Sequence, residues 1–352
     1  MQTWEKIKNK PDQLAKYLVR EKVVDTVRNF FKEIGFHEVS TPILVSTPSC
    51  EPNLEVFKTN LKTFRGTKKD AYLIMSPEYS IKKLLAAGIG NCFEITKCFR
   101  NEEEVSRLHN PEFTMLEWYR TNADYTDIMN DFEKLFSKII TQTDPKANLS
   151  NWIYQKKSYD LTPPWMKFSV ADAFERFAEI DTDTMLSKNK LPEVAKSKGY
   201  EISQETTWEA IFNQILFNEV EPALRKYNKP YFLYDYPTPL ASLSKKKSLD
   251  PRFAERFEVF LAGIELGNCF SELSNAPEQE LRFKKDLGER KRRGKSSYPL
   301  DRELIKALSA GIPQTAGIAV GVDRLIMLAG DFATISETLF FPAKEIFDLQ
   351  ET

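Results

Sequence analysis

The sequence predicts an α+β fold, in which a sheet built from β-hairpins carries amphipathic helices. Three observations point there. Residues 92–100 and 113–119 alternate in character and flank a charged stretch closed by Pro111, so they read as two strands joined by a loop. Residues 253–273 repeat the hairpin pattern. Apolar side chains recur at helical spacing over 19–34 and again over 126–140.

The elements follow in order. Val19, Val23, Val24, Val27, Phe30, Phe31 and Ile34 line one helix face, and Gly35 stops the helix. Residues 36–41 are a short strand that Pro42 ends. Residues 71–75 are a strand, Ser76-Pro77-Glu78 turns out of it, and residues 79–87 are a helix closed by Gly88. In the strand 92–100, Glu94, Thr96, Cys98 and Arg100 share a face. Residues 101–111 are a mobile polar loop, and in the strand that follows Phe113, Met115, Glu117 and Tyr119 share a face. After the helix 126–140, residues 141–165 look like a linker with Pro145, Pro163 and Pro164. Residues 168–221 are mainly helical and read as an inserted element, and 231–240 is an aromatic strand region. The basic run Lys284–Lys295 is expected to be a solvated helix face, the alternative being a docking patch for an acidic macromolecule. Gly294-Lys295-Ser296 is not a phosphate loop, because Gly288 lies at the wrong spacing and no apolar strand precedes it.

Composition narrows the chemistry. With 352 residues the chain can form one large domain or two smaller ones. Its net charge of −1 supplies no global field to recruit nucleic acid. No signal region or membrane-length apolar run is present. The four cysteines form no CxxC pair and read as reduced thiols, as in a cytosolic protein. His37 and His109 are the only histidines, so a histidine-based zinc site is not expected, and a Ser-His-Asp triad would have to use one of the two. The chemistry is then expected to work by positioning and charge stabilisation.

Three constellations carry it. Arg100, Glu102 and the row Phe113, Met115, Glu117, Tyr119 suit a nucleotide phosphate beside a cationic substrate; the alternative is a hairpin with a structural salt bridge. Glu258 and Glu265 bracket Leu261-Ala262-Gly263. If the turn centres there, the two carboxylates lie opposite each other and suit Mg²⁺, with Asn268 as a further oxygen; the alternative is two exposed surface glutamates. Gly317, Ala319 and Gly321 make a strand face that a ligand can approach closely, and Arg324 stands near the start of the helix that follows.

The segments Phe99-Arg100-Asn101-Glu102-Glu103 and His109-Asn110-Pro111-Glu112-Phe113 through Tyr119 resemble motif 2 of the class II aminoacyl-tRNA synthetases, in its lysyl form. Helix 19–34 with the strand ending at Pro42 resembles motif 1, which builds the dimer interface in that family, and residues 317–328 resemble motif 3. Together they span residues 19–330. The chain starts almost at motif 1, has Ala319 where lysyl-tRNA synthetases usually have glycine, and carries Ser76-Pro77-Glu78-Tyr79. In these respects it is most similar to the elongation factor P (R)-β-lysine ligases, freestanding lysyl-synthetase paralogues. Gly267 and Ser271 look more like true lysyl-tRNA synthetases, and Cys269 replaces a glycine common to both groups.

The resemblance implies a class II synthetase catalytic domain over 1–352, an antiparallel sheet flanked by helices, with a mainly helical insertion at about 141–225 and no anticodon-binding domain. It implies ATP-dependent activation of lysine or (R)-β-lysine as an adenylate, with Mg²⁺, and transfer to a lysine of elongation factor P. Arg100 and Arg324 would be catalytic, and ATP would meet Arg100, Asn101, Glu102, His109, Asn110, Phe113, Glu265, Leu266, Gly321 and Arg324. Ser76, Pro77, Glu78, Glu117, Tyr119, Asn268, Glu272 and Ala319 would form the amino-acid pocket, and Glu258, Glu265 and Asn268 the metal site. A cytoplasmic homodimer is implied as well. The alternatives are a compact lysyl-tRNA synthetase charging tRNA, and an inactive paralogue serving as a regulatory subunit.

Overall fold

A computed structural model describes residues 2–203 and 205–349. The chain forms two compact units, one from residues 1–147 and 272–352, the other from 148–271.

In the first unit, helix Val19–Glu33 turns Val23, Val27, Phe30 and Phe31 inward, as its spacing predicts. Strands Cys92–Phe99 and Glu112–Thr121 pair antiparallel, with Cys92 opposite Tyr119 and Cys98 opposite Phe113. Strand Thr315–Gly321 joins the far edge of Glu112–Thr121, also antiparallel, with Ala319 opposite Glu117 and Gly317 opposite Tyr119. One face of this sheet is aromatic. Phe31 lies 5.0 Å from both Phe93 and Trp118, and Trp118 stacks on Phe132, so helices Val19–Glu33 and Tyr125–Thr143 cover that face. The period of two leaves Glu94, Cys98, Phe113, Met115, Glu117, Tyr119, Gly317 and Ala319 on the other.

Two expectations change here. The strand over 36–41 shrinks to His37–Glu38, parallel to Cys92–Phe93. The Thr41 N–H donates to the Glu94 carboxylate (2.8 Å) instead of to a neighbouring strand. The strand over 71–75 is the end of a longer one, Lys68–Leu73, in a separate three-stranded sheet. Ile74 then accepts from the Phe99 N–H (2.8 Å), which brings Ser76 and helix Glu78–Ala86 to the acidic face.

The basic run ends helix Ala276–Arg292. Arg292 and Arg293 pair with Glu289 on the surface, as a solvated face would. Arg290 departs from that expectation. It is 1% exposed and donates to Glu51 O (2.6 Å), Leu54 O, Ser296 O and the Glu55 carboxylate.

In the second unit, strands Met166–Ser169, Tyr231–Pro237, Phe253–Leu261 and Ile264–Ser271 lie side by side in that order; the first pair is parallel and the rest antiparallel. Helices Val170–Ala178 and Trp208–Ile215 pack through Phe174 and Phe212, 4.6 Å apart. The region 141–165 is not a linker. Helix Tyr125–Thr143 outlasts its expected end, and Trp152–Tyr154 pairs with Lys157–Tyr159. Burial of Trp152, Tyr154 and Tyr159 holds that hairpin.

Among the described residues no helix is long and apolar enough to cross a membrane. All four cysteines are buried, and none is in a disulfide.

Candidate active site

Three elements of the first unit bring charged groups together in a buried cluster. Glu78 opens helix Glu78–Ala86, Lys82 follows one turn later, Glu117 sits mid-strand, and Glu272 is tied to strand Thr315–Gly321 by its N–H to Thr315 O (2.9 Å). All four are buried. Lys82 Nζ lies 2.6 Å from Glu78 Oε1 and 2.7 Å from Glu272 Oε2. Glu117 accepts from Ser76 Oγ (2.6 Å) and from the Tyr119 hydroxyl (2.8 Å), and Ser76 Oγ accepts from the Glu78 N–H (3.0 Å).

The electrostatics follow from burial. Desolvation, with Glu78 and Glu272 nearby, pushes the Glu117 carboxyl up to about 8 against the pull of Ser76 and Tyr119. Desolvation and Glu78 push Glu272 up to about 8, with Lys82 opposing. For Lys82 burial works against the charge, but Glu272 and Glu78 outweigh it and hold the ammonium well above the usual lysine range. Space is as limited as charge. A Cβ at Gly317 would lie 2.4 Å from the Tyr119 ring and 3.0 Å from Glu272 Oε1, so only glycine fits. Ala319 packs beside Ile74, Cys98 and Met115. The structure thus brings together Ser76, Pro77, Glu78, Glu117, Tyr119 and Glu272, with Ala319 in the strand register opposite Glu117.

A cationic corner lies in the same unit. The Arg100 guanidinium sits 5.1 Å over the Phe113 ring, its Nε buried with no hydrogen-bond partner among the described residues. Arg324, on helix Val322–Ala329 just after Gly321, meets His109 Nε2 at 3.1 Å. Burial first, and Arg324 next, lower the His109 pKa, so its ring stays neutral there. Glu102 takes a left-handed φ of 55° and stays exposed, 3.4 Å from Lys295 Nζ. Asn101 bridges to Glu55, its N–H donating to Glu55 O (2.9 Å). Asn110 does not join the group: its amide donates to Glu112 O (2.6 Å) and accepts from the Ala343 N–H (2.9 Å).

In the second unit Ala262 and Gly263, at φ 54° and 74°, make the two-residue turn of the acidic hairpin. The expected pairing of Glu258 with Glu265 is corrected. Glu258 stands opposite Asn268, and Glu265 opposite Phe260. The register slips at Val259/Phe260, so Leu266 is an extra residue and Glu265 is carried onto the face of Glu258 and Asn268. Arg256 donates to Glu258 Oε1 (2.6 Å) and to Asn268 Oδ1 (3.1 Å), and Tyr236 to Glu258 Oε2 (2.7 Å). Burial raises the Glu258 pKa; Arg256 opposes the shift and Glu265 adds to it. Among the described residues no three His, Cys, Asp or Glu gather as a metal cluster. Two carboxylates and an amide oxygen on one face still fit a hard cation, with Arg256 its rival for their oxygens.

Sequence reasoning missed three residues. Asp323 accepts from the Thr114 N–H (2.7 Å) and pairs with Arg20, clamping the helix that bears Arg324. Arg290 holds the Glu55 segment on which Asn101 bonds. Lys82 gave one available signal: on a helix begun at Glu78 it is the i+4 partner of that carboxylate.

Known proteins resemble this chain along most of its length. A family model described as tRNA synthetases class II (D, K and N) matches residues 4–345. The lysine–tRNA ligase of Pelotomaculum thermopropionicum is 34% identical over 334 residues, 94% of this chain and 64% of that protein. The elongation factor P–(R)-β-lysine ligase of Proteus mirabilis is 38% identical over 334 residues, 94% of this chain and 95% of that one. Its namesake from Salmonella paratyphi A is 37% identical over 342 residues, 96% of this chain and 97% of that one. The chain thus spans under two thirds of the first relative and nearly all of the other two. With the family's match running from residue 4 to residue 345, this chain belongs to the class II tRNA synthetases of the D, K and N group.

Proposed function

We propose that this protein is an ATP-dependent ligase that activates lysine or (R)-β-lysine as an adenylate and transfers it to a lysine of elongation factor P. The observation that carries the reading is the buried set of Glu78, Glu117 and Glu272, three carboxyl groups gathered out of water where ammonium groups would be their natural partners. The likeness to two elongation factor P ligases along 95% and 97% of their lengths supports the acceptor.

In this reading the substrate carboxylate attacks the α-phosphorus of ATP, an aminoacyl-adenylate forms and pyrophosphate leaves. The acceptor amine then attacks the adenylate carbonyl and AMP departs. The first step needs alignment and charge neutralisation more than proton transfer, which suits a site whose one nearby histidine is held neutral. Arg100 holds the α-phosphate with its planar fork, and Phe113 offers an aromatic face to adenine. Glu102 accepts from the adenine amino group. Arg324 stacks on the base or holds the terminal phosphates, and Asn101, His109 and Gly321 line the nucleotide. Glu258, Glu265 and Asn268 would hold Mg²⁺, which neutralises phosphate charge when bound. Glu78 receives one substrate ammonium, with Ser76 and Pro77 shaping its end of the pocket. Glu117, Tyr119 and Glu272 receive the other, beside Ala319. Ala319 adds one methyl, worth about 1–3 kcal/mol of discrimination, and favours the β-amino isomer. Four buried thiols outside any disulfide support a cytoplasmic setting, and the likeness of helix 19–34 to motif 1 supports a homodimer.

The second reading is a compact lysyl-tRNA ligase, which the 34% identity to the Pelotomaculum enzyme favours. Pyrophosphate exchange across an amino-acid panel with both lysine isomers tests the activation step, and transfer to purified elongation factor P against tRNA tests the acceptor. Exchange with no amino acid would leave an inactive paralogue.

A further inference from the structure

We propose that Lys82 is a specificity-determining positioning residue: its ammonium joins Glu78 to Glu272 and cancels one of the pocket's three negative charges, so that the site is completed by a ligand bearing two ammonium groups. The inference rests on the amino-acid-activating reading above and deepens it.

The charge count comes first. Glu78, Glu117 and Glu272 are 8%, 1% and 5% exposed, and Lys82 is 1% exposed. Three carboxylates against one fixed ammonium leave two negative charges out of water. Uncompensated buried charge is costly, and an empty pocket meets that cost by keeping protons. Glu117 and Glu272 behave accordingly, with pKa values pushed up to about 8, burial the largest cause in both. Two ligand ammonium groups can take the place of those protons. One ammonium leaves a buried carboxylate that must stay protonated.

Geometry gives Lys82 its second role. A single nitrogen within 2.7 Å of both carboxylates fixes the spacing between Glu78, on a helix, and Glu272, beside a strand. These are the groups assigned to different ends of the substrate. The charged groups facing Lys82 are Glu78 on its own helix and Glu272 beside strand Thr315–Gly321, and both of these carboxylates act on Glu117 and Tyr119 of strand Glu112–Thr121. The next residue, Lys83, turns the other way and pairs with Asp301 (2.6 Å), so it cannot substitute. An ordinary structural ion pair needs one carboxylate; this ammonium holds two, and both of them act on a third, Glu117.

The test uses Lys82→Met, which keeps an apolar stem, and Lys82→Gln, which keeps a polar filler, in the full chain. Wild-type exchange with lysine comes first; if no amino acid supports it, the activation reading itself fails. Given exchange, both variants should raise the lysine KM at least 10-fold while the ATP KM stays within about 2-fold. The acidic limb of kcat/KM for lysine should move up by about one pH unit or more, because the Glu78–Glu272 pair then keeps an extra proton. A lysine KM and acidic limb unchanged in either folded variant would overturn the proposal, as would a stability loss with no shift of the limb. Wild-type calorimetry in two buffers at pH 7 tests the count independently of the variants. Lysine should release more protons than norleucine on binding, and equal release would overturn it.

Discussion

Glu117 is the residue whose chemistry is most exposed to test. Both of its oxygens accept hydrogen bonds, from Ser76 and Tyr119, so an amide in place of the carboxylate would keep the shape and lose the charge. Glu117→Gln should raise the lysine KM about 30-fold or more, in line with losing one partner of a buried charge pair. The ATP KM should change little in exchange assays; equal losses in both would count against the pocket assignment. Gly317 makes the complementary point about space. Gly317→Val puts carbon inside the Tyr119 ring and against Glu272. It should cost about 1–3 kcal/mol in urea melts and abolish lysine-dependent exchange. A variant with normal lysine KM would mean that the substrate lies elsewhere.

At the scale of elements, the basic helix holds a structural anchor. Arg290 satisfies two backbone carbonyls of residues 51–54 and the Glu55 carboxylate from a fully buried position. Arg290→Met strands Glu55 and should lower stability by about 3–5 kcal/mol, seen as a fall in the urea midpoint. Periodicity could not reveal this, because a charge run reads the same whether one member turns inward or none does. The strands around Glu117 were legible from alternation alone, since period two fixes the face once one buried residue is known. The hairpin at 152–159 was not. Its turn residues Gln155 and Lys156 take φ of 48° and 64° without glycine or asparagine to announce them. Glu258 and Glu265 were recognised as partners, but a slip at Leu266 that no spacing rule anticipates sets their registry. Lys82 was passed over as one polar residue in an amphipathic helix, and only the arrival of Glu272 from far along the chain gives it a purpose.

For the whole molecule the pocket predicts how stability answers to pH. Glu117 and Glu272 have folded pKa values near 8, raised from about 4.5 by burial first. The stability they lend as neutral acids is complete below about 4.5 and is lost as pH climbs through about 8. The ligand-free protein should therefore melt at falling temperature over that interval. Lysine should recover most of the loss at the alkaline end, where its ammonium groups meet ionised partners. Thermal scans from pH 5 to 9 with and without lysine check this, and a lysine-induced shift that shrinks with rising pH would contradict it.

On the proposed reading, the carboxylates around Tyr119 recognise a substrate by its positive ends. Plain alkyl diamines of lysine's length should therefore lodge there as dead-end occupants. Cadaverine ought to compete with lysine yet leave the ATP KM untouched, which exchange assays at rising diamine concentration check.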